Sequence, residues 1–265
     1  MLLARYAPIG SQRYEKLAQK AKSLDKIMEW IPAQLFAIWS IFVAGMATGK
    51  AQIDRFYFWD WSDWLIGTIV LVVIVIIFSL TKTKFRIKDL SEIDFNKNTV
   101  SGSFYIITFI ILFLLGGVVV AQSDFLKLLN AIIPYILFVI VVGSIFSIKT
   151  TDGYSIDQKS KTLNAWIGVI LLLAGMVIGF KNDDPTISTT ALVSLPFVVV
   201  LLFGKHVRHL ERAKFYPIFI YAMFVVSREG WFLIPLLLLF FILRSYNYLR
   251  YQKIYPTFGV TDDRS

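Results

Sequence analysis

The chain has no cysteine among its 265 residues, which excludes disulfides, thiolate metal sites and a cysteine nucleophile. Charge is scarce as well. Asp, Glu, Lys and Arg make up 17% of the residues, against 57% hydrophobic and 16% aromatic, and the mean hydropathy is +0.66. A soluble domain carries far more charge than this, so the composition reads as an integral membrane protein. The first 28 residues hold Arg5, Arg13, Lys16, Lys20, Lys22 and Lys26 with no apolar stretch among them, so a cleavable secretory signal is not expected.

Long apolar runs are what remains. They are continuous rather than alternating, which favours helices over barrel strands, because in lipid each spanning element must satisfy its own backbone hydrogen bonds. The runs predict an all-α polytopic bundle of about eight spans, at 30–49, 64–80, 104–121, 129–148, 163–180, 187–204, 215–227 and 231–249. The seventh is short and carries Pro217, so a tilted, bent or half-inserted helix is expected there. Of the 27 lysines and arginines, 21 fall in the two terminal segments and in alternate loops, and Arg244, near the end of the last apolar run, brings that side to 22. The positive-inside rule then puts both termini in the cytoplasm. The chain divides into a basic amphipathic segment at 1–28, a transmembrane domain at 29–250 and a cytoplasmic tail at 251–265. The net charge of +9 is explained by this asymmetry and calls for no nucleic acid.

Within residues 11–29, Tyr14, Leu17, Ala21, Leu24 and Met28 recur at helical spacing with lysines between them. This predicts an amphipathic helix, either on the inner leaflet or as a cap over the bundle. On the other side, "DRFYFWDWSDW" and Trp231 read as interfacial aromatic anchors, "KNDDPT" as a turn with capping chemistry, and Arg228 with Glu229 as an ion pair at a helix end. His206, His209 and Glu211 resemble half a metal site, with basic juxtamembrane residues as the plainer account.

Two cytoplasmic polar segments hold the candidate chemistry. "TKTKFRIKDLSEIDFNKN" mixes Lys84, Arg86 and Lys88 with Asp89, Glu92 and Asp94, and "TTDGYSIDQKSKTL" carries Asp152, Asp157, Lys159 and Lys161. Cations and carboxylates at the mouth of a helical bundle suit a lipid diphosphate, the cations meeting its oxygens directly and the carboxylates through Mg2+. Solvated loops whose acids temper local repulsion are the alternative.

From "FSLTKTKFRIKDLSEID" onward the chain resembles the UbiA-type intramembrane prenyltransferases, in particular a bacterial branch. The resemblance rests on Ser79 with "KFRIKDL", on "SIDQKSKTLNAWIG" with Lys161, Thr162 and Leu163 in register, and on a closing pair of apolar runs ending at Tyr255, Pro256, Thr257 and Phe258. It covers residues 78–258 and implies a UbiA-like helical domain in a bacterial cytoplasmic membrane. It also implies an isoprenyl diphosphate bound through magnesium by two acidic motifs, and transfer of the isoprenyl group to an acceptor. On that pattern Lys84, Arg86, Lys88 and Lys161 would hold diphosphate, and Asp152 and Asp157 the metal.

The chain departs from the family in three ways. The first acidic motif is missing, and Asp89 and Asp94 match a different family segment. Two apolar runs separate the polar segments where the family has about four. With Lys161 and Thr162 in register, the family's aspartate positions fall on Thr151 and Ser155, whereas Asp152 and Asp157 lie five apart. On a helix that spacing turns the two carboxylates about 140 degrees from each other. Two expectations follow: a shortened prenyltransferase, or a non-catalytic descendant that binds lipid or joins a complex. A partner membrane protein supplying further helices fits either.

Overall fold

The computed structural model describes residues 1–25, 33–85, 99–148, 150–151 and 155–254. The described chain is helical apart from one short pair of strands. A short helix, α1 (Leu2–Tyr6), and an amphipathic one, α2 (Gln12–Ser23), come first, followed by the long apolar helices α3 (Ala33–Ile53) and α4 (Trp64–Phe85). Next is α5 (Thr99–Leu114), which continues as a π-helical turn over Leu115–Val120, then α6 (Phe125–Ala131) and α7 (Ile133–Phe146). The strands β1 (Thr150–Thr151) and β2 (Ser155–Ile156) pair antiparallel. The chain continues through α8 (Gln158–Lys181), α9 (Pro185–Phe203), α10 (Val207–Arg228) and α11 (Leu233–Tyr251), the last preceded by a 3-10 turn at Gly230–Phe232.

Among the described residues, four stretches are long and apolar enough to cross a membrane: Phe125–Phe146, Gln158–Lys181, Pro185–Phe203 and Gly230–Tyr251. Shorter apolar helical stretches run over Trp64–Ile77 and Ile106–Val120. Their outward faces carry exposed aliphatic and aromatic side chains such as Ile69, Val72, Ile76, Ile170, Val177, Leu192, Leu238 and Phe241. An apolar surface this extensive suits lipid rather than water.

Side-chain caps set where several helices begin. Asp184 accepts from the backbone N–H of Thr186 at 3.0 Å, with Pro185 at the first helical position of α9, and Asp124 caps α6 in the same way. Two caps start helices earlier than the apolar runs predict. Asp157 accepts from Lys159 N–H at 3.1 Å, so Lys159, Lys161 and Thr162 lie in the first turns of α8 rather than in a loop. His206 accepts from Arg208 N–H through Nδ1 at 3.1 Å, so the expected short seventh span is the second half of a 22-residue helix that contains Pro217.

Packing joins two halves. In the first, α3 meets α5 and its π-turn backbone to backbone: a Cβ on Gly45 would stand 2.0 Å from the Phe113 carbonyl oxygen, and one on Gly116 would stand 2.2 Å from that of Phe42. Only glycine permits such an approach. In the second, α8 packs on α7 and α9, and α9 on α10. One continuous core spans both halves and includes Trp39, Phe113, Tyr135, Val198, Phe215 and Phe232.

The polar contacts sort to two opposite ends. One end gathers the first residues of the chain, the β1–β2 hairpin, the start of α8, the turn at Gly204 and the end of α11. There Tyr14 donates through its hydroxyl to the carbonyls of Tyr248 (3.2 Å) and Leu249 (3.1 Å), and Tyr248 donates to Ala7 O at 2.7 Å. The chain's first and last described segments therefore meet at the same end. The other end gathers residues 48–63, 182–186 and 227–231, through contacts such as Arg55 with Asp183 at 2.8 Å.

Candidate functional site

Of the residues that the sequence singles out, Asp157 and Lys161 belong to the first of these ends, the Lys161 end. Lys161 is 2% exposed, and its ammonium donates to the Gly204 carbonyl at 2.7 Å. Asp157 is exposed, with Oδ1 engaged in the α8 cap. Lys84 lies on the last turn of α4, while Arg86, Lys88 and Asp152 fall outside the described residues, as do Asp89, Glu92, Asp94 and Met28. Asp157 and Lys161 sit one turn apart on the same helix, and the Asp157 carbonyl accepts the Lys161 backbone N–H at 2.9 Å. Asp157 belongs to no group of three or more potential metal ligands among the described residues, and Asp152, the carboxylate expected to join it on magnesium, lies outside them.

Glu211 does not join the two histidines. It is buried and paired with Lys253 at 3.1 Å, which ties the segment after α11 to α10, while His206 is spent on its cap. Nearby, Lys214 donates to the Ile148 carbonyl at 3.4 Å. On the rim, Asp25 makes two 2.7 Å bonds with the Arg250 guanidinium and accepts from Tyr246 at 2.8 Å. The Arg250 bonds hold the Asp25 carboxyl below its usual range, against some burial and with help from Tyr246.

The densest arrangement of charge lies at the opposite end. Lys50, in the last turn of α3, projects its ammonium among three carboxylates: Asp60 at 2.9 Å, Glu229 at 3.2 Å, and Asp63 in direct contact. Glu229 is fully buried. One of its oxygens accepts from the Tyr57 hydroxyl in a short contact, and the other accepts from Trp231 Nε1 at 2.9 Å. The backbone closes the same cluster. Asp60 bridges Glu229 in parallel register, Trp59 N–H donates to Ser227 O at 3.0 Å, and Gly230 N–H donates to Asp60 O at 2.8 Å.

Burial pushes the Glu229 carboxyl up, with the Tyr57, Lys50 and Trp231 contacts restraining the shift. Burial, followed by the neighbouring Glu229, also pushes the Tyr57 phenol up, so Tyr57 remains a donor. For Asp60, burial is outweighed by hydrogen bonds from Lys50 and Ser62, which hold the carboxyl at about 2. Asp60, Asp63 and Glu229 each bring an oxygen within 4.8 Å of the others, the spacing of a metal-ligand set. The Lys50 ammonium contacts all three and serves as their counter-ion.

Beside this cluster a second polar chain runs inward, from Asp184 to the Tyr135 hydroxyl (2.7 Å) and on to Thr48 (3.0 Å).

Two expectations are corrected here. Arg228 and Glu229 are not paired with each other: the Arg228 guanidinium donates to the carbonyls of Arg55 (3.2 Å) and Tyr57, while Glu229, just past the end of α10, turns in toward Lys50. Trp231 is no interfacial anchor. It is 4% exposed and packed on Trp39 and Gly67 inside the bundle. The cluster itself had a sequence signal. Lys50 is one of few cations on a side otherwise rich in aspartate, and it closes an apolar run just before "WDWSD".

No family model matches this chain, no curated protein matches it, and no solved structure matches it.

Proposed function

We propose that this chain is an eight-crossing integral membrane bundle of the UbiA-like kind in a bacterial cytoplasmic membrane, with both termini cytoplasmic. In this reading it binds an isoprenyl diphosphate, or a related anionic lipid, with the headgroup at the Lys161 end and the tail between the helices. Lys161 carries the reading. It is a buried ammonium that has one carbonyl partner and no carboxylate partner among the described residues, and Lys205 is within electrostatic reach. Burying a cation costs several kcal/mol unless charge and hydrogen bonds compensate it. An ammonium has three donors, and a phosphate oxygen suits those that Gly204 leaves. The meeting of Tyr14 with Tyr248 supports an even number of crossings, and the cation asymmetry supports the orientation.

Binding is favoured over transfer. In the transferase reading, Asp157 would offer its second oxygen to magnesium together with Asp152, and Lys84, Arg86 and Lys88 would take the diphosphate. The commitment of Asp157 Oδ1 to the α8 cap fits a structural role better.

The test is equilibrium binding of a radiolabelled isoprenyl diphosphate to the purified protein in detergent, with and without magnesium. Wild type should bind saturably, and Lys161→Met should weaken binding about tenfold or more, the worth of one charge-assisted hydrogen bond. Thermal melting of both proteins separates a lost contact from a lost fold. A folded wild type that binds nothing would sink the reading. Magnesium-dependent binding abolished by Asp152→Asn with Asp157→Asn would instead favour the transferase.

A further inference from the structure

The first 25 residues do more than cover the bundle. α2 is tied to the end of α11, a helix of membrane-crossing length, by the Tyr14 bonds to Tyr248 and Leu249 and by the Asp25 bonds to Arg250 and Tyr246. A segment fastened there sits at the level of lipid headgroups. Ser11 caps α2 by accepting from Tyr14 N–H at 3.1 Å, which fixes where the helix starts and so how its faces point.

At about 100 degrees per residue, Tyr14 and Ala21 share the face turned to α11, and both are buried. Arg13, Lys16 and Lys20 then fall within about 60 degrees of one another on a single flank. All three are exposed, and Leu24, also exposed, lies on the same flank. That flank carries no acid. Glu15 projects on the other side of the helix, and Asp25 is neutralised by Arg250. The preceding residues add exposed apolar groups, Leu2, Tyr6 and Ile9, with Arg13 stacked over the Tyr6 ring at 5.1 Å. Cations flanked by exposed apolar side chains on a rigidly placed helix match the interface of an acidic bilayer.

We propose that residues 1–25 form an interfacial strap that binds the anionic lipid surface through Arg13, Lys16 and Lys20. The strap is independent of the isoprenoid site and rests on the membrane character of the bundle. Each cation near an acidic surface favours contact by roughly fivefold. The interaction orders the strap from its lipid-facing flank while the Tyr14 and Asp25 contacts hold it from the other.

The experiment is hydrogen–deuterium exchange on the full-length protein in nanodiscs, comparing phosphatidylcholine alone with phosphatidylcholine mixed with phosphatidylglycerol. Amides of residues 12–23 should be several-fold better protected in the acidic discs, and high salt, which shortens screening to a few ångströms, should erase the difference. Arg13→Gln, Lys16→Gln and Lys20→Gln together should abolish the gain and leave protection in neutral discs at the wild-type level. Exchange in α8 and α9 reports whether the variant is folded. Equal protection of the wild type in both lipids, or a gain that survives high salt, would overturn the proposal even if the variant fails to fold. A gain retained by the folded triple variant would overturn it as well.

Discussion

The two ends of the bundle treat buried charge in different ways. At the Lys161 end, Lys161 and Lys214 are each held by a backbone carbonyl, while carboxylates are spent on a cap, as at Asp157, or in an ion pair, as in Glu211 with Lys253 and Asp25 with Arg250. At the Lys50 end, one lysine holds three carboxylates, a tyrosine and a tryptophan complete the hydrogen bonding of Glu229, and the backbone of residues 59–60 is stitched to that of 227–230. A lysine on one carbonyl can exchange that partner for an anion at small cost. A lysine shared by three carboxylates cannot leave without stranding them. The first arrangement suits a ligand and the second a clamp that joins α3, the 54–63 loop and the α10–α11 turn.

Exchanging the lysine at each end puts this contrast to its hardest test. Lys50→Met leaves Asp60, Asp63 and the fully buried Glu229 without their cation, and should destabilise the protein by about 3–5 kcal/mol, as breaking a buried pair does. Lys161→Met loses one hydrogen bond to the Gly204 carbonyl but also relieves the cost of burying a cation, and should change stability by no more than about 1 kcal/mol in either direction. Denaturant unfolding in micelles of one detergent measures both. Equal losses would show that Lys161 is as structural as Lys50 and would end the distinction.

The next effect concerns packing. The α3 helix that carries Lys50 is seated on α5 through glycines, whereas a Cβ added to Gly175 of α8 would meet nothing nearer than Pro134 O at 3.6 Å. Gly45→Ala should therefore cost about 1–3 kcal/mol, because its Cβ meets rigid backbone. Gly175→Ala should be neutral or should gain up to about 1 kcal/mol from helix propensity. The same unfolding measurement decides, and a harmless Gly45→Ala would mean that α3 can slide away from α5.

What the sequence made legible follows from the range of each interaction. Helix positions were readable because an apolar run reports local backbone demand: the run at 187–204 became Pro185–Phe203, and that at 231–249 became Leu233–Tyr251. Helix starts were misplaced where a polar cap, not hydropathy, sets the boundary, as with Asp157 and His206. Side-chain partners were the least legible. Trp231 reads as an interfacial tryptophan until α3 and α4 close over it, and Glu229 reads as the neighbour of Arg228 until the turn aims it at Lys50. Of the residues expected to hold a lipid diphosphate, Lys161 alone is described with its side-chain contacts, and its pairing with the Gly204 carbonyl, with no acid beside it among the described residues, emerges only in three dimensions.

The smallest effect is in pH, where two acids of the Lys50 cluster act with opposite sign. Glu229 has its carboxyl raised by burial, so the folded state takes up its proton first. Its share of stability is therefore larger below its ordinary range and declines as pH rises through the raised value. Asp60 is held at about 2, below an ordinary value near 4, so its contribution is present above about 4 and is lost as pH falls toward about 2. Acidification from neutral pH should first raise the melting temperature slightly and then lower it, with the maximum near the ordinary carboxylate range. Glu229→Gln should remove the rise and keep the fall, and Asp60→Asn should soften the fall and keep the rise. A profile that falls steadily from neutral pH in the wild type would mean that Lys50 compensates Glu229 completely, making the clamp a balanced ion network in place of one that stores a proton.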